Sequence, residues 1–395
     1  PGGQRRHVGG VRRLLQAEIR ADLAGAALSP TADLSLNTAL DGTWGQSATA
    51  RRSGLSLSAS YEVDLWGRLR AQRDAALAAL RVSQFDQRIV QLGVEAAVVT
   101  LYVQMLSLHE RLQTAQLNLD NARQVMTLVE ARVRHGQAAP LERAQQRATL
   151  ARQEAALPPL RQQLASTQAQ LDLLLGEPAA SVPIRARALD TLQVPVLNAD
   201  IPVERLWQRP DIAQAEARLH GARADVRAAR AALLPSLRLS AGSRTAGDSP
   251  GAWLDGNPLY NLGAGLTQPL FDAGRLHGQH AISDAQARLE WLAYQRVVLT
   301  ALIEVDLALR NLGALAEQAR WQAQELEAAR QSFALARLRF QAGAVDLLTL
   351  LDAQRSLFQA EDQSRQLRQA QIQAQVDLFR ALGGDWTANT APVTP

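Results

Sequence analysis

Residues 55–69, with the sequence LSLSASYEVDLWGRL, change from one hydrophobic period to another at Gly67. Up to residue 63, apolar and polar side chains alternate. A period of two is that of a β-strand, whose successive side chains point to opposite faces of the sheet. After Gly67 the apolar spacing becomes helical and stays helical up to about residue 134. The stretch therefore predicts a strand that leads directly into a long helix.

A second copy of this pattern occurs near Gly274. Apolar residues alternate over 262–270, and a helical pattern begins at Arg275. Three glycines of the first half each have a counterpart 207 positions later: Gly67 and Gly274, Gly136 and Gly343, Gly176 and Gly383. Three landmarks at one offset indicate an internal duplication. We therefore divide the chain into a first repeat, 1–207, and a second repeat, 208–395.

Each repeat is predicted to contain a helix, two strands, a long helix, a return helix and a final irregular segment. In the first repeat these lie at 11–27, 31–40, 55–63, 68–134, 141–175 and 177–207, the last being a connector with a short helix at 203–207. In the second repeat they lie at 210–233, 236–242, 260–270, 275–340, 345–382 and 384–395, the last being a polar tail. A break is expected at Pro158 and Pro159, because proline removes a backbone donor and clashes with the preceding turn.

The first long helix carries a heptad seam. Apolar residues from Leu101 to Val133 step by alternating fours and threes, which is typical of a coiled coil. Shifted by 207 positions, the seam recurs in the second long helix with Gln322 as its single departure. Long helices alone would also suit a soluble or periplasmic coiled-coil scaffold or adaptor protein without a pore. That alternative explains the helices but not the four alternating strands.

The four strands have the length and the aromatic ends of tilted membrane strands. The aromatic residues near the strand ends are Trp44, Tyr61, Trp66, Trp253 and Tyr260. Four strands cannot close a barrel, and an open sheet edge in lipid leaves backbone groups unpaired at several kcal/mol each. Two copies would suffice for the smallest closed barrels of about eight strands. The polar second face favours a wider, water-filled lumen, and three copies would give twelve strands.

Composition excludes several classes of function. The net charge is +4, and the basic residues are arginines scattered among acidic and amide side chains, which does not predict a nucleic-acid interface. No cysteine is present, so thiolate metal sites and disulfides are excluded. No run approaches the roughly 18 apolar residues of a membrane helix. His277 and His280 are the one histidine pair at helical spacing, and no catalytic arrangement is evident. We expect no enzymatic activity, cofactor or metal.

Three motifs, in this order, resemble signatures of the outer-membrane efflux channel family, the TolC- and OprM-like outer membrane factors. They are YEVDLWGR at 61–68, RPDI at 209–212 with an alanine-rich helix running into LPS at 234–236, and QPLFDAGR at 268–275. The resemblance covers nearly the whole chain and is closest to the lipoprotein branch, whose mature chain starts at an acylated cysteine. Since this sequence has no cysteine, we expect a lipid anchor to be either trimmed away or absent.

The resemblance implies a mixed α and β membrane protein that forms a homotrimer. Four strands per chain would build a 12-stranded β-barrel in the lipid of the outer membrane. The long helices would continue it as an α-helical coiled-coil barrel across the periplasm. The implied function is the exit channel of a tripartite efflux pump, a passive conduit for drugs or other small molecules. The implied partners are a periplasmic adaptor (membrane fusion) protein and an inner-membrane pump.

Two pairs of glycines mark the ends of the long helices. Gly67 and Gly274 are expected to serve backbone geometry where strand turns to helix, and the nearby Asp64 and Asp272 are expected to cap the helices. Gly136 and Gly343 are expected at the helix tips far from the barrel. A periplasmic adaptor could reach them there.

The resemblance also implies a periplasmic gate, because acidic residues just past the second tip narrow the pore in this family. The matching positions are Thr349, which departs from the acidic pattern, and Asp352, which keeps it. Asp346 and, in the first tip, Glu142 are further gate candidates. Neighbouring arginines such as Arg337, Arg339 and Arg355 could hold Asp352 in the closed state. The alternative is that these acids are solvated helix charges.

Overall fold

The computed structural model describes residues 2–41, 44, 50–176, 189, 192, 203–247 and 258–384. Six α-helices and four strands occupy these residues, with a 3₁₀-helix at Val203–Gln208. The helices are α1 (Gly2–Ala26), α2 (Arg68–Arg134), α3 (Pro140–Leu175), α4 (Pro210–Ala231), α5 (Arg275–Gln341) and α6 (Leu347–Ala381). The strands are β1 (Thr31–Asp41), β2 (Ala50–Val63), β3 (Ser236–Gly247) and β4 (Leu259–Thr267).

The chain divides into two compact units, each built from both halves of the sequence. One unit, here called the strand unit, comprises Gly10–Gln87 and Pro210–Val298. The other, here called the tip unit, comprises Pro1–Gly9, Arg88–Arg209 and Leu299–Pro395. The strand unit contains the sheet, and the tip unit contains the ends of α2 and α5 with the return helices α3 and α6.

The sheet of the strand unit is antiparallel, with the order β1-β2-β3-β4. Leu34 pairs with Leu57, Ala59 with Ala241, and Leu239 with Ala264, so apolar residues of neighbouring strands share one face. Every residue of β4 is exposed in the single chain. In the described part of the sheet, β1 and β4 are the outer strands, and each is paired along one side.

Three strand boundaries differ from the sequence prediction by three residues or more. β2 begins at Ala50 instead of 55, and β3 continues to Gly247 instead of 242, because Ser53 pairs with both Thr38 and Gly247. These polar segments lack the alternation on which the prediction relied, and cross-strand pairing extends them. β4 ends at Thr267 instead of 270, where Pro269 has no backbone donor for a ladder. β1 ends one residue later than predicted, at Asp41.

The helices also depart from the prediction at several points. α1 already begins at Gly2, nine residues before the predicted start. α3 continues through Pro158 and Pro159, where a break was expected. The prolines have no amide to donate to the carbonyls of Glu154 and Ala155, one turn earlier. All four residues are exposed, so these carbonyls face water. The expected segments 177–202 (apart from Leu189 and Leu192) and 385–395, and Trp253, lie outside the described residues.

The core of the tip unit follows the heptad seams. Val125 and Val129 of α2 are buried together with residues of α5 and α6, namely Phe333, Ala336, Phe340, Leu347, Leu350, Ala353, Leu357 and Phe358. Earlier seam positions of α2, among them Met105, Leu119 and Ala122, are buried as well. A sustained a/d pattern therefore places these helices side by side.

One helix is also apolar enough to cross a membrane by length and composition. An 18-residue window of α2 has a mean hydropathy of 1.6, and 22% of that window is buried. The expectation that no run approaches this composition was therefore wrong. The same helix carries the heptad seam, so its apolar residues are equally suited to packing against other helices.

Candidate channel gate and helix tips

Gly67 and Gly274 stand at the first turns of the two long helices. Their φ angles are +76° and +82°, a region that residues with a Cβ rarely adopt. The carbonyl of Gly67 accepts from the Ala71 amide at 2.8 Å, and that of Gly274 from the Gly278 amide at 2.8 Å. Both glycines therefore let an extended chain turn sharply into a helix.

Asp64 and Asp272 cap these helices. Asp64 accepts from the amides of Leu69 and Arg70 at 3.0 Å each, and its carboxylate also pairs with the Arg70 guanidinium. Burial alone would raise the pKa of Asp64, but these hydrogen bonds outweigh it, so its pKa lies below the ordinary value. Asp272 accepts from the Leu276 amide at 2.9 Å and the Gly274 amide at 3.1 Å. The two carboxylates satisfy helix donors that would otherwise lack partners.

Gly136 and Gly343 end the long helices with the same backbone motif. Their φ angles are +70° and +75°. The Gly136 amide donates to the Val133 carbonyl, and the next amide reaches back to Arg132 at 2.8 Å. Gly343 and its successor repeat this pattern with Phe340 and Arg339. These are Schellman caps, which need a left-handed residue just past the helix end.

Two gate candidates are used as helix caps at the tips. Glu142 accepts from the Ala139 amide at 3.3 Å through Oε1, at the start of α3. Asp346 is the N-cap of α6 and accepts from both the amide and the hydroxyl of Thr349. The Thr349 hydroxyl is the larger cause and the amide the second, and together they hold the pKa of Asp346 below its ordinary value. Thr349 therefore completes a cap with Asp346.

Asp352 lies one turn further along α6, and its carboxylate pairs with Arg355 on the same helix. Both side chains are about two-thirds exposed. Arg337, another expected partner, donates instead to Gln124 at 3.3 Å. Asp352 and Arg355 line a cavity of about 760 Å³ between α2, α3 and α6. An exposed pair three residues apart contributes about 0–1 kcal/mol, so it can be broken at little cost.

Beyond Asp352, ion pairs join α6 to α2. Arg111 donates two hydrogen bonds to the Asp362 carboxylate, at 2.6 and 3.1 Å. Glu110 accepts from Arg365 at 3.1 Å and from the backbone amide of Leu189 in the connector at 2.6 Å. These pairs fix the part of α6 that follows the gate candidate.

Arg209 opens the RPDI motif, but the sequence did not predict a separate role for it. Its side chain is 7% exposed and donates to Glu304 at 2.7 Å and to the Ala381 carbonyl at 2.6 Å. Gly383 packs so closely that an added Cβ would lie 3.2 Å from the Cα of Arg209. Arg209 thus connects the segment before α4 to α5 and to the end of α6. The RPDI motif, one of the three that carry the family resemblance, was the signal that could have identified Arg209.

Metal binding finds no support in the described residues. Within them, no group of three or more His, Cys, Asp or Glu side chains is arranged to hold an ion. His277 and His280 accordingly do not belong to such a group.

A family model described as outer membrane efflux protein matches residues 12–177 and 201–384. The pyoverdine export outer membrane protein OpmQ of Pseudomonas putida is 42% identical over 390 residues, which are 96% of this chain and 83% of that protein. The toluene efflux pump outer membrane protein TtgF of Pseudomonas putida is 31% identical, covering 93% of this chain and 74% of that protein. The cation efflux system protein CusC of Escherichia coli is also 31% identical, over 89% of this chain and 78% of that protein.

Solved structures agree in fold. A crystal structure of CusC superposes with a TM-score of 0.91 at 27% identity, covering 96% of this chain and 89% of that one. The open state of the Neisseria gonorrhoeae MtrE outer membrane channel gives a TM-score of 0.89 at 25% identity, over 95% of this chain and 85% of that one. The chain therefore belongs to the outer membrane efflux protein family, the TolC- and OprM-type factors, and is located in the bacterial outer membrane, extending into the periplasm.

Proposed function

We propose that three copies of this chain form the exit channel of a tripartite efflux pump. The observation that carries the proposal is the open four-stranded sheet, whose outer strands β1 and β4 need partners in lipid. Three copies supply a closed 12-stranded barrel with the polar strand faces around a water-filled lumen. Efflux channels of this family work with an adaptor and an inner-membrane pump, and the Gly136 and Gly343 tips are the surfaces that we assign to the adaptor.

The periplasmic end is closed, in our proposal, by Asp352. Asp346 and Glu142 accept backbone hydrogen bonds, whereas Asp352 is exposed and held by one weak pair with Arg355. Three copies of Asp352 around an axis would form an acidic ring that attracts cations. Separation of Asp352 from Arg355 would then accompany opening.

The cargo is proposed at the level of small molecules. The relatives carry names that refer to pyoverdine, toluene and cations, so their names alone do not select one class. OpmQ has both higher identity and higher coverage than the other two, so pyoverdine is the compound to test first. Export should be restored when this chain is expressed in a Pseudomonas putida strain that lacks OpmQ. The same strain carrying the Asp352→Arg variant serves as the matched comparison.

The oligomer and the pore are tested together. Native mass measurement in detergent should give three times 42.8 kDa, and the purified protein should produce discrete conductance steps in planar bilayers. A stable monomer, or a trimer in which neither the wild type nor the Asp352→Ala variant conducts, would contradict the proposal. A trimer that is water-soluble without detergent would instead favour the coiled-coil scaffold.

A further inference from the structure

Each long helix begins with an arginine, and the two arginines have different surroundings. Arg68, at the start of α2, donates to the Glu62 carboxylate at 2.6 and 3.3 Å. Arg275, at the start of α5, lies 207 positions later, but the residue 207 positions after Glu62 is Pro269. Because proline has no carboxylate, the second arginine lacks the kind of partner that neutralises the first.

The other carboxylates of the two junctions are already occupied. Asp272, three residues before Arg275, accepts two backbone amides at 2.9 and 3.1 Å. Asp64 accepts two amides of α2 and pairs with Arg70 at 3.0 Å. In the part of the chain that the structure describes, Arg275 takes part in no ion pair, and its side chain is exposed. Its guanidinium is therefore available to an anion from outside the chain.

Arg68 and Arg275 line one cavity of about 270 Å³ where the sheet meets the helices. Glu62, Ser236 and Thr267 line it as well. The strand register places these three residues on the polar face of the sheet, which surrounds the lumen in the proposed trimer. A water molecule occupies about 30 Å³, so the cavity has room for a carboxylate or phosphate group together with several waters.

A third arginine lies on the same polar face. Arg238 is exposed, and it stands opposite Glu62 on β2 and opposite Gly265 on β4. Three arginines and one glutamate, namely Arg68, Arg238, Arg275 and Glu62, leave a net charge of +2 in each chain. We call these four residues the arginine junction. Three copies of it would place a net charge of +6 between the β-barrel and the helical barrel.

We infer that the arginine junction binds oxyanions, so that the channel favours solutes that carry carboxylate or phosphate groups. The inference rests on the proposed trimeric channel and names its class of cargo. A guanidinium group has five donors in a planar fork that matches the two oxygens of a carboxylate or phosphate. Rings of basic side chains likewise select anions in pores. Arg275 supplies the unpaired guanidinium, and Arg68 and Arg238 add the field that draws an anion to it.

Anion block of the open channel tests the inference. The parent protein is the Asp352→Ala variant, which lacks the proposed gate, in planar bilayers at about 0.1 M salt, where charges are screened over about 10 Å. Citrate and pyrophosphate, as carboxylate and phosphate probes, should each reduce the current. Adding Arg275→Gln should raise the concentration for half-maximal block about tenfold, because charge-assisted hydrogen bonds to the anion are lost. Block by one probe alone would support the site and narrow its ligand to that oxyanion.

Two further variants separate charge from a general loss of structure. Pro269→Glu keeps the arginine but supplies the missing carboxylate, so it should weaken block as Arg275→Gln does. Arg275→Lys keeps the charge and should weaken block less. Arg288→Gln is the matched control, because Arg288 lies on the same helix in an exposed pair with Asp284 at 2.8 Å. It should leave the half-blocking concentration unchanged, and native mass should show every variant to be trimeric.

The possible failures are distinguishable. If neither probe blocks a conducting parent, or if Arg275→Gln and Pro269→Glu both leave block unchanged, the inference is overturned and the proposed channel stands. An equal rise in the half-blocking concentration for Arg288→Gln would also overturn it, since any arginine on the helix would then serve. A trimer that does not conduct even as the Asp352→Ala parent overturns both the channel and the inference.

Discussion

Replacing Arg209 with methionine removes a buried guanidinium while keeping a long, unbranched side chain. Arg209 donates to the Ala381 carbonyl at 2.6 Å and to Glu304 at 2.7 Å. Glu304 is about half exposed and regains water when its partner is lost. Ala381 is buried, so its carbonyl loses a donor where water is scarce. The variant therefore tests whether one arginine holds the end of α6 in place.

The expected loss follows from these two contacts. A hydrogen bond to a charged group contributes about 1.5–3 kcal/mol, and a buried acceptor without a partner costs about 1–3 kcal/mol. Together they predict that Arg209→Met lowers the free energy of unfolding by about 3–5 kcal/mol. With an unfolding entropy of about 2.1 cal/mol/K per residue, this corresponds to a fall in Tm of about 4–6 °C.

The assay is thermal unfolding of the detergent-solubilised protein, followed by circular dichroism at the helix band. Arg227→Met is the matched control, because Arg227 pairs with Asp74 at 3.0 Å but both side chains are about half exposed. Such a surface pair contributes about 0–1 kcal/mol, so the control should shift Tm by about 1 °C or less. Equal shifts for the two variants would refute the assignment of Arg209 as a buried anchor.

Three further perturbations test the membrane face, the gate and a helix cap. Leu57→Arg should impair assembly in the outer membrane, at about 2–4 kcal/mol near the bilayer centre, whereas Ser58→Arg should assemble and lower conductance. Equal assembly of the two variants would contradict the facing assigned to β2, or the strand as a membrane strand. Asp352→Ala should raise open-state current or reduce cation selectivity in planar bilayers, relative to the exposed helix acid variant Asp306→Ala; an unchanged trace removes Asp352 from the gate. Since the pKa of Asp64 is lowered on folding, its stabilisation is present above its ordinary value near 3.8 and is lost as pH falls below it. Asp64→Asn should therefore flatten the acid limb of a Tm–pH profile, and parallel profiles would contradict this.

The sequence predicted the element types and their order because the periods of two and about 3.6 are local properties. The starts of α2 at Arg68 and of α5 at Arg275 were predicted from the glycine before each helix. Both glycines have the left-handed backbone conformation that residues with a Cβ rarely adopt. The ends of β2 and β3 did not follow, since the polar segments there are held by cross-strand pairing. α3 continues through two prolines because they are exposed to solvent, and exposure could not be predicted from the sequence. The internal duplication remains a prediction, although α2 and α5 are both 67 residues long and start 207 positions apart.

The gate candidates differ in the hydrogen bonds that their carboxylates accept, which sequence position alone does not show. Asp346 is the N-cap of α6 and Glu142 lies in the first turn of α3, within reach of backbone amides that have no intrahelical acceptor. A carboxylate there accepts those hydrogen bonds, which keeps it at the helix end. Asp352 comes after the first turn, where every amide already donates within the helix, so its carboxylate is left to side chains such as Arg355. Of the three acids, Asp352 is therefore the one that does not cap a helix, which is why we propose it as the gate.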